Sequence, residues 1–545
     1  MDGTGQNPAY RRALAKRYRE IELAPLPANF SELIATAASK FGDSVAINAF
    51  ETGECLSFNT LNERTNRLAS SLSSLGIGFG THVAVMLPNR IEYPLVWLAL
   101  AKLGAVMLPT NTRNTSDELD FIYADGDARW LIVDTEFDDR LSGMRSSLRL
   151  FGTDRILRCG NGSTGPLSLD ALIAAGDPDF VPGWPVRDED LLNIQYTSGT
   201  TGMPKGCMQS QRFWLVLAAT VRGMEGDFES VLADHPFFYI DPQWMMVYAL
   251  MTGATVYMPD RMSVSRYVGW LHDNRIQFAY FAGPLLATAP TANENNLAIR
   301  KFTVGALSVD ALRAGEARFN VPIRQNYGMT EIGAGLLVPN ELEGDHMIGT
   351  LGLPAPYRKC RIVDENGETV SRGEIGELIV RGDSIFKGYY NRPDANIESF
   401  IGEWFRTGDL FRQDDKGLYR IVGRVKDMIR RSNENISALE VEQAFSAMPE
   451  IAEAAAVPVP DDVRGEEVKI FVRLGDGYSE IDVPPDALLD RASKRLASFK
   501  LPRFFAYVSD FPHTPSQKIA KSQLVGQVTD LRAGSWDRES EAWVA

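Results

Sequence analysis

From residue 30 to about residue 185, apolar positions follow two alternating rhythms. Residues 31–40, 61–75 and 91–103 carry them three to four apart, the spacing of a helix with one buried face. Residues 44–49, 83–87, 105–108 and 130–133 are short apolar runs of strand length. Strands alternating with helices predict a parallel sheet covered on both faces, and the same alternation returns between residues 191 and 327. Ser31 is the N-cap candidate of the first helix. The most membrane-like stretch, residues 93–109, is broken by Lys102 and Gly104 and is short for a span. It reads as a buried helix followed by a buried strand. The first 30 residues are polar and proline-containing and read as a loose arm.

The texture changes after about residue 340. Residues 361–370 read as a strand, an Asn366-Gly367 turn and a second strand. Residues 377–380 and 417–422 continue this β-rich pattern. Beyond Gly423 and Arg424, helical segments (439–448, 485–497) mix with strands (453–459, 468–474). The expected fold class is α/β. A large N-terminal domain, residues 1–425, holds two βα-layered subdomains plus a small β-rich subdomain. A small α+β C-terminal domain spans residues 426–545.

Composition narrows the function. With 56 Lys and Arg against 71 Asp and Glu, the formal net charge is −15, which lacks the footprint of a nucleic-acid binder. Four scattered cysteines form no disulfide framework, and with five scattered histidines they show no zinc-ligand spacing. The N-terminus is not a signal peptide, and Asp2 excludes N-myristoylation. A reducing cytoplasm without an integral membrane segment is the expected setting. Gly76, Gly78 and Gly80 superficially suggest a dinucleotide loop. They lie between a helix and a strand, the wrong order for that fingerprint, and read as a surface turn. His235 has no Ser or Cys partner in motif context, so a catalytic triad is not expected.

The strongest chemical signal follows the apolar run 191–195. Tyr196-Thr197-Ser198-Gly199-Thr200-Thr201-Gly202-Met203-Pro204-Lys205-Gly206 combines glycines, hydroxyls and a lysine. Glycines let the backbone approach an anion closely. Hydroxyl and N–H groups donate to phosphate oxygens, and Lys205 adds positive charge. A Walker A loop ends in Gly-Lys-Ser/Thr; this segment does not.

This segment closely resembles the phosphate loop of adenylate-forming (ANL superfamily) enzymes, which include acyl-CoA synthetases, peptide-synthetase adenylation domains and firefly-type luciferases. The resemblance extends to Asn326-Tyr327-Gly328-Met329-Thr330-Glu331, to Trp404-Phe405-Arg406-Thr407-Gly408-Asp409-Leu410, to Gly423-Arg424-Val425-Lys426-Asp427, and to Lys518-Ile519 with Lys521. It implies an AMP-forming acyl-CoA synthetase that joins a carboxylic acid to ATP, releases pyrophosphate and passes the acyl group to CoA. By resemblance, Thr197, Ser198, Gly199, Thr200, Thr201, Gly202 and Lys205 cradle the β- and γ-phosphates. Asn326, Tyr327, Gly328 and Met329 belong to the nucleotide site, with Tyr327 stacked on adenine. Thr330 contacts phosphate, and Glu331 helps hold Mg²⁺, a hard cation that prefers oxygen ligands. Asp409 accepts the ribose hydroxyls with Arg424 nearby. Lys518 is the implied catalytic lysine, stabilising charge at the α-phosphate, while Lys521 reads as a surface charge. Lys426 is the implied hinge about which the C-terminal domain rotates for thioester formation.

Several positions depart from the family pattern. Gln517 replaces a glycine before Lys518. Ser432-Asn433 replaces a Gly-Gly pair before Glu434 and Asn435, and the adjacent Arg430 and Arg431 either meet CoA phosphates or are solvated, the solvated reading being favoured. In the presumed acyl pocket Tyr239 stands where the family usually has histidine. The Ile240-Asp241 and Glu434-Asn435-Ile436-Ser437 runs partly resemble carnitine/crotonobetaine-CoA ligases. Phe238, Tyr239, Trp244 and Gly305 are candidate linings, with Phe213, Trp214, Phe237 and Tyr248 as further aromatics. The expected substrate is a small or medium polar or aryl carboxylic acid; a homodimer is left open. The alternatives are a stand-alone adenylation enzyme loading a carrier protein, luciferase-like oxidation, and a nucleotide-sensing protein with decayed catalysis.

Overall fold

A computed structural model describes residues 8–544, apart from 145, 147–149, 153, 198–203, 306, 341, 343–346, 433, 462, 515–517 and 527–529. It divides into two compact units. Among the described residues, the first comprises those up to Thr197, with Pro204–Lys359 and Val380–Glu403; the second comprises Cys360–Ile379 and those from Trp404 onward.

The first unit is built on two sheets. One runs in the order Ile156–Cys159, Trp130–Asp134, His82–Met86, Val106–Pro109, Leu191–Thr197, Lys205–Ser210. All neighbours are parallel except the last pair, which is antiparallel. The other contains the mutually parallel strands Thr255–Tyr257, Ser230–Leu232, Phe278–Tyr280, Lys301–Val304 and Ile323–Met329. Parallel strands need crossover connections, which the helices supply while covering the faces. Helix Glu92–Leu103 is buried along its whole length and stops at Gly104, in the left-handed region at φ 66°. It runs directly into the buried strand Val106–Pro109. Lys102 survives inside by donating to Asn62 Oδ1 at 2.8 Å and to Asn66, and burial lowers its pKa to about 7. Among the described residues no helix is long and apolar enough to cross a membrane.

The N-terminal arm is not loose. Pro8–Leu23 is a helix. Its Leu14, Tyr18 and Ile21 share one face and pack on Met224, Leu337 and Ala355. Arg17 donates to the carbonyls of Gly223 (2.8 Å) and Met224 (2.9 Å), which lie at the end of helix Gln211–Glu225. The next helix, Phe30–Phe41, is capped by Asn29 rather than Ser31, the Asn29 side chain accepting from Glu32 N–H.

In the second unit, strands Trp404–Gln413 and Tyr419–Arg424 pair antiparallel. After Asp364 the expected hairpin is reduced: its turn is present, with Gly367 at φ 84°, but the second arm is a single bridge from Val363 to Thr369. The C-terminal residues form a sheet around the long pair Ile451–Asp461 and Gly465–Leu474. Helices Ala438–Ser446 and Pro485–Ser493 contribute Val441, Phe445 and Leu488 to its core.

Strands Met428–Arg431 and Glu434–Ser437 make a hairpin in which Arg431 faces Glu434. Only residues 432 and 433 bridge them, and Ser432 sits at φ 57°; Asn433 lies outside the described residues. Arg431 is not solvated. It is 13% exposed and donates to the fully buried Glu467 at 2.6 Å. Arg430 is exposed and pairs with Glu365 at 3.2 Å.

The left-handed region costs a non-glycine residue roughly 1–2 kcal/mol, partly offset by glycine's larger freedom when unfolded. Ser432→Gly is therefore expected to raise hydrogen-exchange protection of the 428–437 amides by a stabilisation of about 0.5–1 kcal/mol. Unchanged or reduced protection contradicts this reading of the turn.

Candidate active site

The phosphate-loop segment joins two antiparallel strands. Thr197 pairs with Lys205, Tyr196 with Gly206 and Gln195 with Cys207. Residues Ser198, Gly199, Thr200, Thr201 and Gly202 lie outside the described residues, but both anchors are fixed. Gly206 has to be glycine: a Cβ there meets Ile194 Cγ2 at 2.5 Å and the Tyr196 ring at 3.1 Å. Lys205 places its ammonium 4.8 Å from the centre of the Tyr389 ring.

The second motif ends the strand Ile323–Met329 and turns into Gly333–Leu337. Asn326 donates to Thr303 Oγ1 at 2.5 Å on the neighbouring strand. Tyr327 is largely buried, its hydroxyl 3.2 Å from Met329 Sδ. Gly328 passes so close to Gly333 that a Cβ would lie 2.5 Å from that carbonyl oxygen. Thr330 is held through its carbonyl by Gln209 Nε2 at 2.7 Å. Glu331 is 7% exposed; the Tyr389 hydroxyl donates to its Oε1 at 2.8 Å, and the Cys207 thiol also bonds it. Burial pushes the Glu331 carboxyl above its ordinary range, against the pull of these donors and of Lys205. Lys205, Cys207, Glu331 and Tyr389 therefore form one cluster within the first unit.

Parallel sheets bind ligands beyond the carboxyl ends of their strands. Four neighbouring strands of the second sheet end at this same edge. After Ser230–Leu232 come Asp234 and His235; Tyr280 ends the next strand, Gly305 follows Lys301–Val304, and Asn326 and Tyr327 lie on the last. Asp241 Oδ1 accepts from the Tyr280 hydroxyl at 2.6 Å and from Trp244 Nε1 at 3.3 Å. His235 meets Asp234 at 2.9 Å and stands edge-on to the Tyr280 ring. Burial lowers the imidazole pKa, but the charge and hydrogen bond of Asp234, with Asp241 behind, outweigh it and hold His235 up to about 9. Tyr239 is half-buried and accepts from Asn111 at 3.3 Å; Phe238 and Trp244 are buried beside it, and Gly305 is exposed. Phe213, Trp214, Phe237 and Tyr248 are core side chains.

Within the second unit, Asp409 is 3% exposed and pairs with Arg424 Nε at 3.0 Å. Thr407 and Glu377 fix the preceding turn: Thr407 Oγ1 accepts from Asp409 N–H and Glu377 accepts from Gly408 N–H. Lys518 lies within the influence of both charges. Desolvation of its ammonium and the Arg424 charge pull its pKa below the lysine range, against Asp409. Gln517 lies outside the described residues. Lys426 sits in the single turn Val425–Asp427. Lys521 is not a free surface charge. It pairs with Glu442 at 2.6 Å and with Asp427 at 3.7 Å.

Tyr389, Tyr280 and Glu442 were not singled out from sequence. Only the Gly388-Tyr389 pair at the end of a β-rich stretch offered a signal.

A family model described as AMP-binding enzyme matches residues 34–390, and one for the AMP-binding enzyme C-terminal domain matches residues 440–518. The chain belongs to the AMP-binding enzyme family. A sulfoacetate–CoA ligase of Cupriavidus necator is 31% identical over 508 residues, covering 90% of this chain and 96% of the relative. A crotonobetaine/carnitine–CoA ligase of Proteus mirabilis is 30% identical, covering 86% and 92%. The crystal structure of ATP-bound MatB from Rhodopseudomonas palustris superposes with a TM-score of 0.83 at 26% identity, covering 92% of this chain and 99% of the other. This AMP-binding enzyme is an adenylate-forming acid–CoA ligase. It uses ATP and CoA as co-substrates and proceeds through an acyl-adenylate.

The Lys518 surroundings predict a titration. The amine should lose its proton at lower pH than an ordinary lysine. Arg424→Met removes a like charge and frees Asp409, and both changes raise the Lys518 pKa. Trace acetylation read by mass spectrometry should therefore titrate at higher pH in Arg424→Met; an unchanged or lower midpoint contradicts the arrangement.

Proposed function

We propose that the activated acid is a small or medium polar or aryl carboxylic acid. One observation carries this reading: Asp241, held by Tyr280 and Trp244, gives the strand edge a polar, aromatic face. An aliphatic chain would strip solvent from a carboxylate held only by a hydroxyl and an indole N–H, which is costly. Tyr280 stands two strands from the second motif, about 10 Å at the usual strand spacing, a distance that suits a short acid.

The roles are assigned as follows. Thr197, Ser198, Gly199, Thr200, Thr201, Gly202 and Lys205 bind the β- and γ-phosphates. Asn326, Gly328, Met329 and Thr330 shape the nucleotide site, Tyr327 packs against adenine, and Asp409 accepts the ribose hydroxyls with Arg424 orienting it. Lys518 stabilises the charge that builds up as the carboxylate attacks the α-phosphorus and pyrophosphate leaves. Glu331 fits a Mg²⁺ ligand. It is a buried carboxylate whose donors are a hydroxyl and a thiol, so its charge is oriented but not neutralised. When bound, Mg²⁺ supplies neutralisation of phosphate charge. Lys426 is the hinge between the domains 1–425 and 426–545, and the setting is the cytoplasm.

Pyrophosphate release across aryl acids, dicarboxylates, zwitterionic acids and fatty acids, with CoA present, tests the substrate class. A short polar or aryl acid should exceed any fatty acid at least tenfold in kcat/KM; a long-chain fatty acid as best substrate overturns the reading. Lys518→Ala should lower adenylation by about 10²–10³ in kcat, the scale of a lost transition-state charge contact. Thioester formation from supplied acyl-adenylate should remain. Equal loss in both half-reactions contradicts the role given to Lys518.

A further inference from the structure

We propose that Tyr389 is a positioning residue that sets the Lys205 ammonium and the Glu331 carboxylate in a fixed relation before ATP arrives. The proposal rests on the reading of Lys205 as a phosphate group ligand and of Glu331 as a metal ligand.

Three features of the chain place Tyr389 between them. First, residues 386–390 are stitched along the outer edge of the strand Lys205–Ser210. Lys387 N–H donates to Met208 O at 2.7 Å, Met208 N–H to Gly388 O at 3.0 Å, and Tyr390 N–H to Gly206 O at 2.8 Å. This segment also reaches the second motif directly, since Phe386 N–H donates to Glu331 O at 2.7 Å. Second, the Tyr389 main chain is clasped on both sides by one amide. Tyr389 N–H donates to Asn396 Oδ1 at 2.7 Å, and Asn396 Nδ2 donates to Tyr389 O at 2.9 Å. Third, the side chain has two ends with different partners. Its hydroxyl reaches Glu331 at 2.8 Å, and its ring lies 4.8 Å from the Lys205 ammonium, with Phe386 packed edge-on against it.

A buried tyrosine hydroxyl needs an acceptor, and many acceptors would serve for stability alone. Here the acceptor carries charge, and the ring faces the opposite charge. Tyr389 keeps the two from closing into an ion pair, in which each would compensate the other instead of meeting phosphate or metal. A tyrosine suits this spacer because its hydroxyl orients a carboxylate without cancelling its charge, and its ring face holds an ammonium through the quadrupole.

Tyr389→Phe keeps the ring and removes the hydroxyl; Tyr389→Leu removes both. The test measures ATP affinity by calorimetry, in EDTA and at graded Mg²⁺, together with melting temperature and pyrophosphate-release kinetics. Tyr389→Phe should bind ATP like the parent in EDTA yet lose three- to tenfold of the Mg²⁺-dependent gain in affinity. Tyr389→Leu should also weaken binding in EDTA. If Tyr389 acts through Glu331, Tyr389→Phe should add nothing on a Glu331→Gln background. A Tyr389→Phe protein with the parent's Mg²⁺ dependence, or with equal losses with and without Mg²⁺, overturns the proposal. Unaltered Mg²⁺ dependence in Glu331→Gln instead overturns the underlying assignment of Glu331. Should Tyr389→Phe not fold, Asn396→Ala, which releases the Tyr389 main chain, is expected to show the same Mg²⁺-specific loss, and its absence counts against the proposal.

Discussion

The antiparallel register that sets Thr197 opposite Lys205 is the constraint on which the first unit's chemistry depends. The strand Leu191–Thr197 has a parallel neighbour on one side, where Asn193 meets Met107, and an antiparallel one on the other. Its last residue, Thr197, pairs with Lys205 and closes the phosphate-loop segment. One face buries the apolar Leu192 and Ile194, and the other buries Asn193 and Gln195, which are hydrogen-bonded. Asn193 accepts from Trp97 Nε1 at 2.9 Å and donates to Gln243 at 2.8 Å; Gln195 donates to Phe238 O at 2.5 Å. Buried amides with every bond made specify one arrangement and penalise slippage. This network docks the segment carrying Phe238, Tyr239 and Asp241 onto the strand that carries the phosphate loop. One strand therefore positions both the phosphate anchors and the proposed acid-binding edge.

The elements legible in sequence were those whose signal is local. Helix Glu92–Leu103 and strand Val106–Pro109 are apolar throughout, so burial alone defines them. The motifs were legible because each is a short local run, glycines with hydroxyls and a lysine at 196–206 and a glycine with Thr330 and Glu331 at 326–331. The misses share the opposite property. Pro8–Leu23 shows only three apolar residues on one face, diluted among charges, and becomes a helix because Gly223 leaves room for Ile21: a Cβ there would meet Ile21 at 2.4 Å. Arg431 looked solvated until Glu467, 36 residues away, supplied a buried partner. Tyr389 and Glu331 are 58 residues apart, and no spacing rule links them.

The second unit manages its charges differently. Asp409 and Arg424 sit opposite each other in the strand register, so their ion pair follows directly from the sheet. Lys518 arrives from a distant loop into the field of that pair, and the net effect of desolvation and the two charges is to weaken its hold on the proton. Lys518 is an exposed residue whose ammonium is set beside both a like and an opposite charge, and an added anion is favoured by Coulomb attraction there. In the catalytic role proposed for Lys518, such a gain counts only where negative charge develops in the transition state, the condition for lowering a barrier instead of tightening ground-state binding.

Glu331 presents the mirror image of this problem. A buried carboxylate could be stabilised most strongly by an arginine or lysine in direct contact, as Glu467 is by Arg431 and Arg464. That solution neutralises the charge and leaves nothing for a ligand. Neutral donors give the other solution: a hydroxyl and a thiol orient the carboxylate, while burial still penalises its charge and raises its pKa. Lys205 offsets part of that penalty, and in the proposed role an incoming cation offsets the rest. The same buried acid type is thus a structural tie in one unit and the proposed metal ligand in the other, and the donor, guanidinium or phenol, distinguishes them.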